Sequence, residues 1–457
     1  MKNQQYSANR WIQHTLFMTV ITVAVFTSCN KYLDAKPDQS IATPSTIEDL
    51  EGILNNYNFV NAKYSSAPEV SSDDYYLTGT DWASLPDYQR AYYTWQKFNG
   101  PIGDYTSPYS AIEYANIIME SLEKINGASP VRINAVRGNA LYLRASYHYA
   151  LAQVFAPAYN KNTADSDQGI ALRLTADIAV KPKRSTIGEN YNQIITDLTK
   201  AAPLLPDYPD QKFRASKPAA YGMLARVYLA MGDYGNAGKY ADAALKLYNK
   251  LINYNTVSTT ATIPFRQFND EVIYDSRTGI PPALANTKAK IDTLLFSSYA
   301  PNDLRRTVIF KTNADGSRAF KGSYTGVNNA SAFTGIATNE LYFIKAECAV
   351  RANDISIGLA TLNTVLSTRW KTGTYQPVTI TDAGVLLKTV LAERRKDLLF
   401  RTLRWTDLRR LNLEADHRQE IRRILNGTSY KLEPGSPRYV FQIDQNAVEL
   451  GGLPQNP

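Results

Sequence analysis

Between residues 57 and 107 the chain sets Tyr64, Tyr75, Tyr76, Trp82, Tyr88, Tyr92, Tyr93, Trp95, Phe98 and Tyr105 among Ser, Asp, Gly and Pro, with the carboxylates of Asp73, Asp74 and Asp81 close by. Two chemistries use such a set. Paired carboxylates beside rings can hydrolyse a glycosidic bond, but only at a fixed separation and with pKa values pushed apart, neither of which sequence spacing supplies. Rings alone can hold a sugar: C–H patches pack on the aromatic face while amides, carboxylates and guanidinium groups bond the hydroxyls. No nucleophile elbow and no Gly-rich phosphate loop is present, so the expectation is binding without catalysis. Trp82 and Tyr88 are the first candidates for ligand contact, followed by Tyr75, Tyr76 and Tyr324, with Asp81 and Arg318 as polar partners. Core packing is the competing use of every one of these rings. Ser71-Ser72-Asp73-Asp74 reads as a turn or cap whose side chains bond the backbone.

Other chemistries find little support. The two cysteines are Cys29 and Cys348, and the histidines beyond the leader are His148 and His417, so neither a metal site nor a cofactor is expected. His148 shares a helix face with Leu141, Ala145 and Ala152 and reads as a hydrogen-bonded packing residue. No basic block with interleaved aromatics marks a nucleic-acid surface. From 394 to 410 the chain carries Arg394, Arg395, Arg401, Arg404, Arg409 and Arg410. Exposed pairs at helical spacing, Asp397 with Arg401 and Asp407 with Arg410, are the default reading, and a basic partner-binding face is the sharper one.

The N-terminus locates the work. Lys2 and Arg10 precede the uncharged run from Leu16 to Phe26, which is shorter than the roughly 20 residues of a spanning helix and ends at Thr27-Ser28-Cys29. Residues 1–28 read as a signal peptide, with cleavage leaving Cys29 to carry acyl chains such as palmitate. Several chains anchor far better than one, at about 0.8 kcal/mol per buried CH2. Loss of the leader lowers the net charge from +8 to +6, a solvated-surface excess for so long a chain.

Positioning the rings falls to helices. Residues 29–46 read as a tether, Ile47 to Asn56 as a first helix, and residues 47–457 as a single domain. Helical blocks occupy about 109–250 and 338–412, with loop-rich insertions at 57–107 and 253–336, the latter holding a short helix around 288–298. Tyr221, Leu224, Ala225, Tyr228, Gly232, Ala237, Ala241 and Ala244 have the spacing of a tetratricopeptide repeat, and Tyr342, Ala346, Ala349, Asn353, Gly358, Leu362 and Val365 repeat it more weakly. The fold class expected is mainly α: a helical repeat superhelix with long insertions and little β. A third stretch, Gly384 to Asn412, continues the array, and Val440, Phe441 and Ile443 suggest a short strand or a docked apolar tail.

The ordered series resembles the SusD/RagB family of outer-membrane lipoproteins. It runs through Tyr32-Leu33-Asp34, Arg137-Gly138-Asn139-Ala140, Gly169-Ile170-Ala171-Leu172, Arg214-Ala215-Ser216-Lys217-Pro218, Glu340-Leu341-Tyr342-Phe343, Glu393-Arg394-Arg395-Lys396, Arg404-Trp405-Thr406-Asp407 and Gln455-Asn456-Pro457. Arg401-Thr402 stands where that family commonly has Glu-Gly. The resemblance implies a lipid-anchored protein on the outer face of the cell outer membrane. Such a protein captures oligosaccharide, or peptide in some members, as a lid on a SusC-type TonB-dependent channel. A repeat scaffold that organises envelope proteins and binds no nutrient is the rival from another class.

Overall fold

Small residues decide how closely the helices pack. In this computed structural model, which describes residues 44–457, helix Lys217–Met231 begins at Ser216, whose side chain accepts from the Ala219 N–H. The helix ends at Gly232, whose φ of 73° suits a residue without Cβ. Asp233 caps the returning helix Tyr234–Leu247, and the fully buried Ala220, Ala225, Ala237, Ala241 and Ala244 leave the pair room to close. Asn353, with φ 62°, makes the same left-handed turn between helices Thr338–Arg351 and Ile355–Ser367. A Cβ on Gly358 would lie 2.5 Å from Val350 Cγ2, and one on Gly238 would lie 3.0 Å from Cys348 Cβ. The first contact closes a hairpin and the second stacks one hairpin on the next. Helices Gly103–Leu122, Pro130–Phe155 and Ile187–Ala201 extend the array on the N-terminal side and Ala383–Asp397 on the other, each touching its neighbour in chain order. The mainly α reading therefore holds. Strand occurs only as five two-stranded ribbons among the described residues. The signal segment, Cys29 and the tether up to residue 43 lie outside those residues.

Two expectations change and one open alternative is decided. The stretch from 384 to 412 is two helices, Ala383–Asp397 and Leu403–Leu411, because Phe400 and Thr402 adopt φ of 55° and 60° between them. Residues 57–107 are built of short helices, including Ala67–Ser71, Gly79–Ala83 and Asp87–Tyr93, rather than irregular chain. The terminal residues 440–443 form no strand: Phe441 and Ile443 are buried as a docked tail.

The arginine-rich segment is the largest correction. It forms no exposed basic face, because its guanidinium groups turn inward to carboxylates and carbonyls that the fold brings from elsewhere. Arg394 meets Asp407 at 2.9 Å, Arg410 meets Glu347 at 2.6 Å and Asp407 at 2.8 Å, and Arg404 meets Asp73 at 2.6 Å. Arg395 takes Asp74 at 2.8 Å. Arg409 donates to the carbonyls of Gln153 and Ala156 at the end of helix Pro130–Phe155. Arg401 does not pair with Asp397; it lies 3.9 Å from the Tyr324 ring centre and bonds Asn339. Asp73 and Asp74 are thus ion-pair partners rather than turn caps.

Asp397 instead accepts from Arg369 at 2.9 Å and pairs with Arg305 at 3.3 Å, while Arg369 reaches Glu271 at 2.8 Å and Arg305 reaches Asp303 at 2.7 Å. All five are fully buried, so this lattice rivets the 253–336 insertion to the helices. Burial opposes charge on Asp397, but the Arg369 and Arg305 guanidinium groups outweigh it and hold the carboxyl well below its ordinary range.

Arg369→Met leaves Glu271 and Asp397 short of a counter-charge and is expected to cost about 3–5 kcal/mol in urea unfolding. Thr402→Gly, which relieves a left-handed β-branched residue, is expected to gain about 1 kcal/mol in the same measurement.

Candidate functional site

Strand alternation separates the two adjacent tyrosines. Tyr75 and Tyr76 pair with Ile291 and Lys290, so Tyr75 points inward with Ile291 and Tyr76 outward with Lys290. Tyr75 is 2 % exposed, donates to the Val70 carbonyl at 2.7 Å and packs on Tyr93 and Phe400. It is a core residue, not a ligand contact. Tyr324 is corrected likewise: at 1 % exposure its hydroxyl donates to Glu271 at 2.5 Å and its face is covered by Arg401. Tyr76 is 36 % exposed and its ring is open to solvent.

Trp82 and Tyr88 are half-buried. Thr78 caps the Trp82 helix, accepting from the Asp81 N–H at 3.1 Å and donating to the Asp81 carboxylate at 2.6 Å, so Asp81 serves the cap. The Trp82 indole N–H donates to the Arg90 carbonyl at 3.2 Å. A Cβ on Gly79 would sit 1.9 Å from Asn426 Oδ1, so glycine there lets a hairpin turn seat against the start of that helix. That hairpin, Ile421–Leu425 with Thr428–Leu432, was not anticipated, although its Asn426-Gly427 turn, with φ of 49° and 82°, is the expected sequence signal. Tyr88 meets Tyr92 edge-on at 5.7 Å, and its hydroxyl accepts from Gln89 at 3.0 Å.

The two insertions meet here. Lys288 donates to Ser84 at 2.6 Å, Gln89 accepts from the Ala283 N–H at 2.9 Å, and Lys290 pairs with Asp315 at 3.2 Å. Asp315 lies in the turn leading to strand Arg318–Phe320, and the Arg318 guanidinium stands 4.8 Å from the Phe296 ring centre. Strand pairing and that ion pair bring Tyr76, Lys290 and Arg318 into one neighbourhood, and Trp82 follows on the segment of Tyr76. Lys290 and Phe296 were not singled out from sequence, since neither carries a local signal.

A groove of about 940 Å³ opens beside this surface, walled by Asp73, Leu294, Val385, Lys388, Arg404 and Gln419 among others, with no Trp, Tyr or Phe in its lining. A second cleft of about 410 Å³ lies by Arg184, Arg409 and Tyr439. None of the seven candidate contact residues lines either. His148 is buried, accepts from the Arg173 N–H at 3.2 Å, and is held neutral by burial and by Arg144, its pKa lowered to about 3. No group of three or more His, Cys, Asp or Glu residues suited to a metal occurs among the described residues, and no described helix is long and apolar enough to cross a membrane.

Residues 31–229 match a family model described as SusD-like, starch-binding and associating with the outer membrane, and residues 305–456 match the SusD family model. The chain belongs to the SusD/RagB family. It is 24 % identical over 370 residues to the SusD-like protein P2 of Formosa agariphila, covering 67 % of this chain and 70 % of that one. Among solved structures, a putative sugar binding protein from Bacteroides vulgatus superposes with a TM-score of 0.75 at 20 % identity, covering 91 % of this chain and 99 % of the other. A SusD superfamily protein from Bacteroides thetaiotaomicron gives 0.73, also at 20 %, covering 90 % and 100 %. These likenesses establish the SusD fold. Lys290 and Phe296 fall between the two matched stretches.

Behind the groove wall lies Glu69, fully buried, accepting from the Thr402 N–H at 2.6 Å. Burial, then the nearby Asp74 carboxylate, push its pKa up to about 8. Asp73 differs: burial opposes its charge, yet Arg404 and Arg395 hold it below the ordinary range. An unfolded Glu titrates near about 4.3, so between there and pH 8 the folded chain holds a proton that the unfolded chain has lost, and stability falls as pH rises. Glu69→Gln is expected to flatten that decline by a few kcal/mol, read from urea midpoints at a series of pH values.

Proposed function

We propose that this chain is an outer-membrane lipoprotein, acylated at Cys29 and facing the cell exterior, that captures oligosaccharide and passes it to a SusC-type TonB-dependent channel. The observation that carries the reading is the open ring of Tyr76, held at the junction of the two insertions with half-buried Trp82 on the same segment. The scaffold fixes that ring through strand pairing, so little order need be gained on binding. A flat apolar face beside the charged and hydrogen-bonding groups of Lys290, Asp315 and Arg318 is what a sugar ring requires. The starch-binding description of the matched model and the sugar-binding title of the Bacteroides vulgatus structure support the same ligand class. The role proposed is binding and delivery rather than catalysis.

Peptide capture is the second reading, favoured by the 940 Å³ groove, whose lining mixes both charges with aliphatic side chains and includes no Trp, Tyr or Phe for a sugar to stack on. A panel of glycans and peptides separates the readings. Tyr76→Ala, with the thermal midpoint kept, and Trp82→Ala, with a lower midpoint from lost packing, are each expected to weaken glycan retention about five- to tenfold, the equivalent of roughly 1 kcal/mol of ring contact. Indifference to every glycan, with tight co-purification of envelope proteins, would support the non-nutrient scaffold instead.

A further inference from the structure

Two arginines share one aromatic ring on this face. The Arg306 guanidinium lies 4.4 Å and that of Arg318 4.8 Å from the centre of Phe296, in the short helix Thr293–Ser297. The ring's negative π-surface attracts a cation, and both guanidinium groups lie within cation–π range of it. Their protein partners are carbonyls only: Arg306 donates through NH1 to Tyr299, and Arg318 through NH1 to Gly316 and Ser317. Each guanidinium has five N–H donors in a flat fork, so Nε and NH2 of both are left without a protein acceptor among the described residues.

The contrast with the next residue is sharp. Arg305 is buried and takes Asp303, Asp397 and Glu393, whereas Arg306 and Arg318 take no carboxylate among the described residues. The acids nearby are already engaged: Asp315 pairs with Lys290, and Asp292 accepts from the Leu295 N–H as a helix cap. Lys311 stands exposed between the two arginines in sequence and adds charge of the same sign.

From this geometry we infer that the ligand is an acidic glycan, and that Arg306 and Arg318 grip its anionic substituents. A guanidinium fork matches the paired oxygens of a carboxylate or a sulfate ester, and a neutral sugar hydroxyl cannot use it as fully. The inference rests on the glycan-capture reading and adds the charge class of the substrate. Uronate and sulfate sources share the same recognition chemistry.

The test measures dissociation constants of purified protein for three oligosaccharide sets, neutral, uronate-containing and sulfated, at low and high salt. The expected result is at least tenfold preference for one or both acidic sets, a preference that shrinks at high salt. Arg306→Gln should reduce acidic binding about tenfold and leave the neutral set unchanged; Arg318→Gln should reduce acidic binding about tenfold and neutral binding by less, while Arg318→Lys retains part of the effect. The uronate and sulfate arms identify which anion is taken. Should either Gln variant unfold, the salt response of the unaltered protein still decides.

Neutral sugars bound as tightly as both acidic sets, or folded Gln variants with undiminished acidic binding, would overturn the inference. If neutral sugars bind as tightly as the acidic sets and Tyr76→Ala releases them all, glycan capture stands and only the acidic preference falls. If no glycan of any charge binds, both fall together.

Discussion

The buried ionic lattice of Glu271, Arg369, Asp397, Arg305 and Asp303 is the constraint on which the rest of the molecule depends. Charges removed from water are tolerated only when their partners are held in place, and here the partners come from three separated parts of the chain. Asp397 ends one repeat helix, Arg369 follows another, and Glu271, Asp303 and Arg305 belong to the insertion between the helical blocks. A loop of that length would otherwise have no fixed address. Because Tyr324 reaches the same Glu271 and Arg401 covers the Tyr324 ring, aromatic packing is tied into the lattice as well.

The helices supply the rigid frame and the insertions supply the surface. Close approach at Gly238 and Gly358 sets the stacking of hairpins, and the ridges that result leave the insertions to meet at one end. There, two-residue strands and single hydrogen bonds suffice to orient Tyr76, because the larger energies are already committed beneath it. Arg305 and Arg306 differ within one dipeptide: the first serves the buried lattice, and the second meets a backbone carbonyl and the Phe296 ring instead of a carboxylate.

The repeat was legible because small-residue spacing acts locally: Gly232 and Asn353 mark turns whatever lies beyond them, and the alanines between helices follow a fixed period. The break at 398–402 was partly visible, since Thr402 stands where the resembling family has Gly, the residue suited to the left-handed backbone found there. Tyr75 and Tyr76 could not be separated by type, because both rings suit a wet boundary equally well. The arginines of 394–410 misled because their partners, Asp73, Asp74 and Glu347, lie far away along the chain and no local spacing announces them.

Sequence by itself determined the helical hairpins and the resemblance to the SusD/RagB family. These follow from periodicity and composition, which act over a few turns of chain. Only the tertiary structure decided which tyrosines face water, which arginines are spent on buried carboxylates and which are left with unused donors. Those outcomes depend on strand alternation against a distant segment and on charges meeting across the fold, and neither is fixed until the insertions have docked.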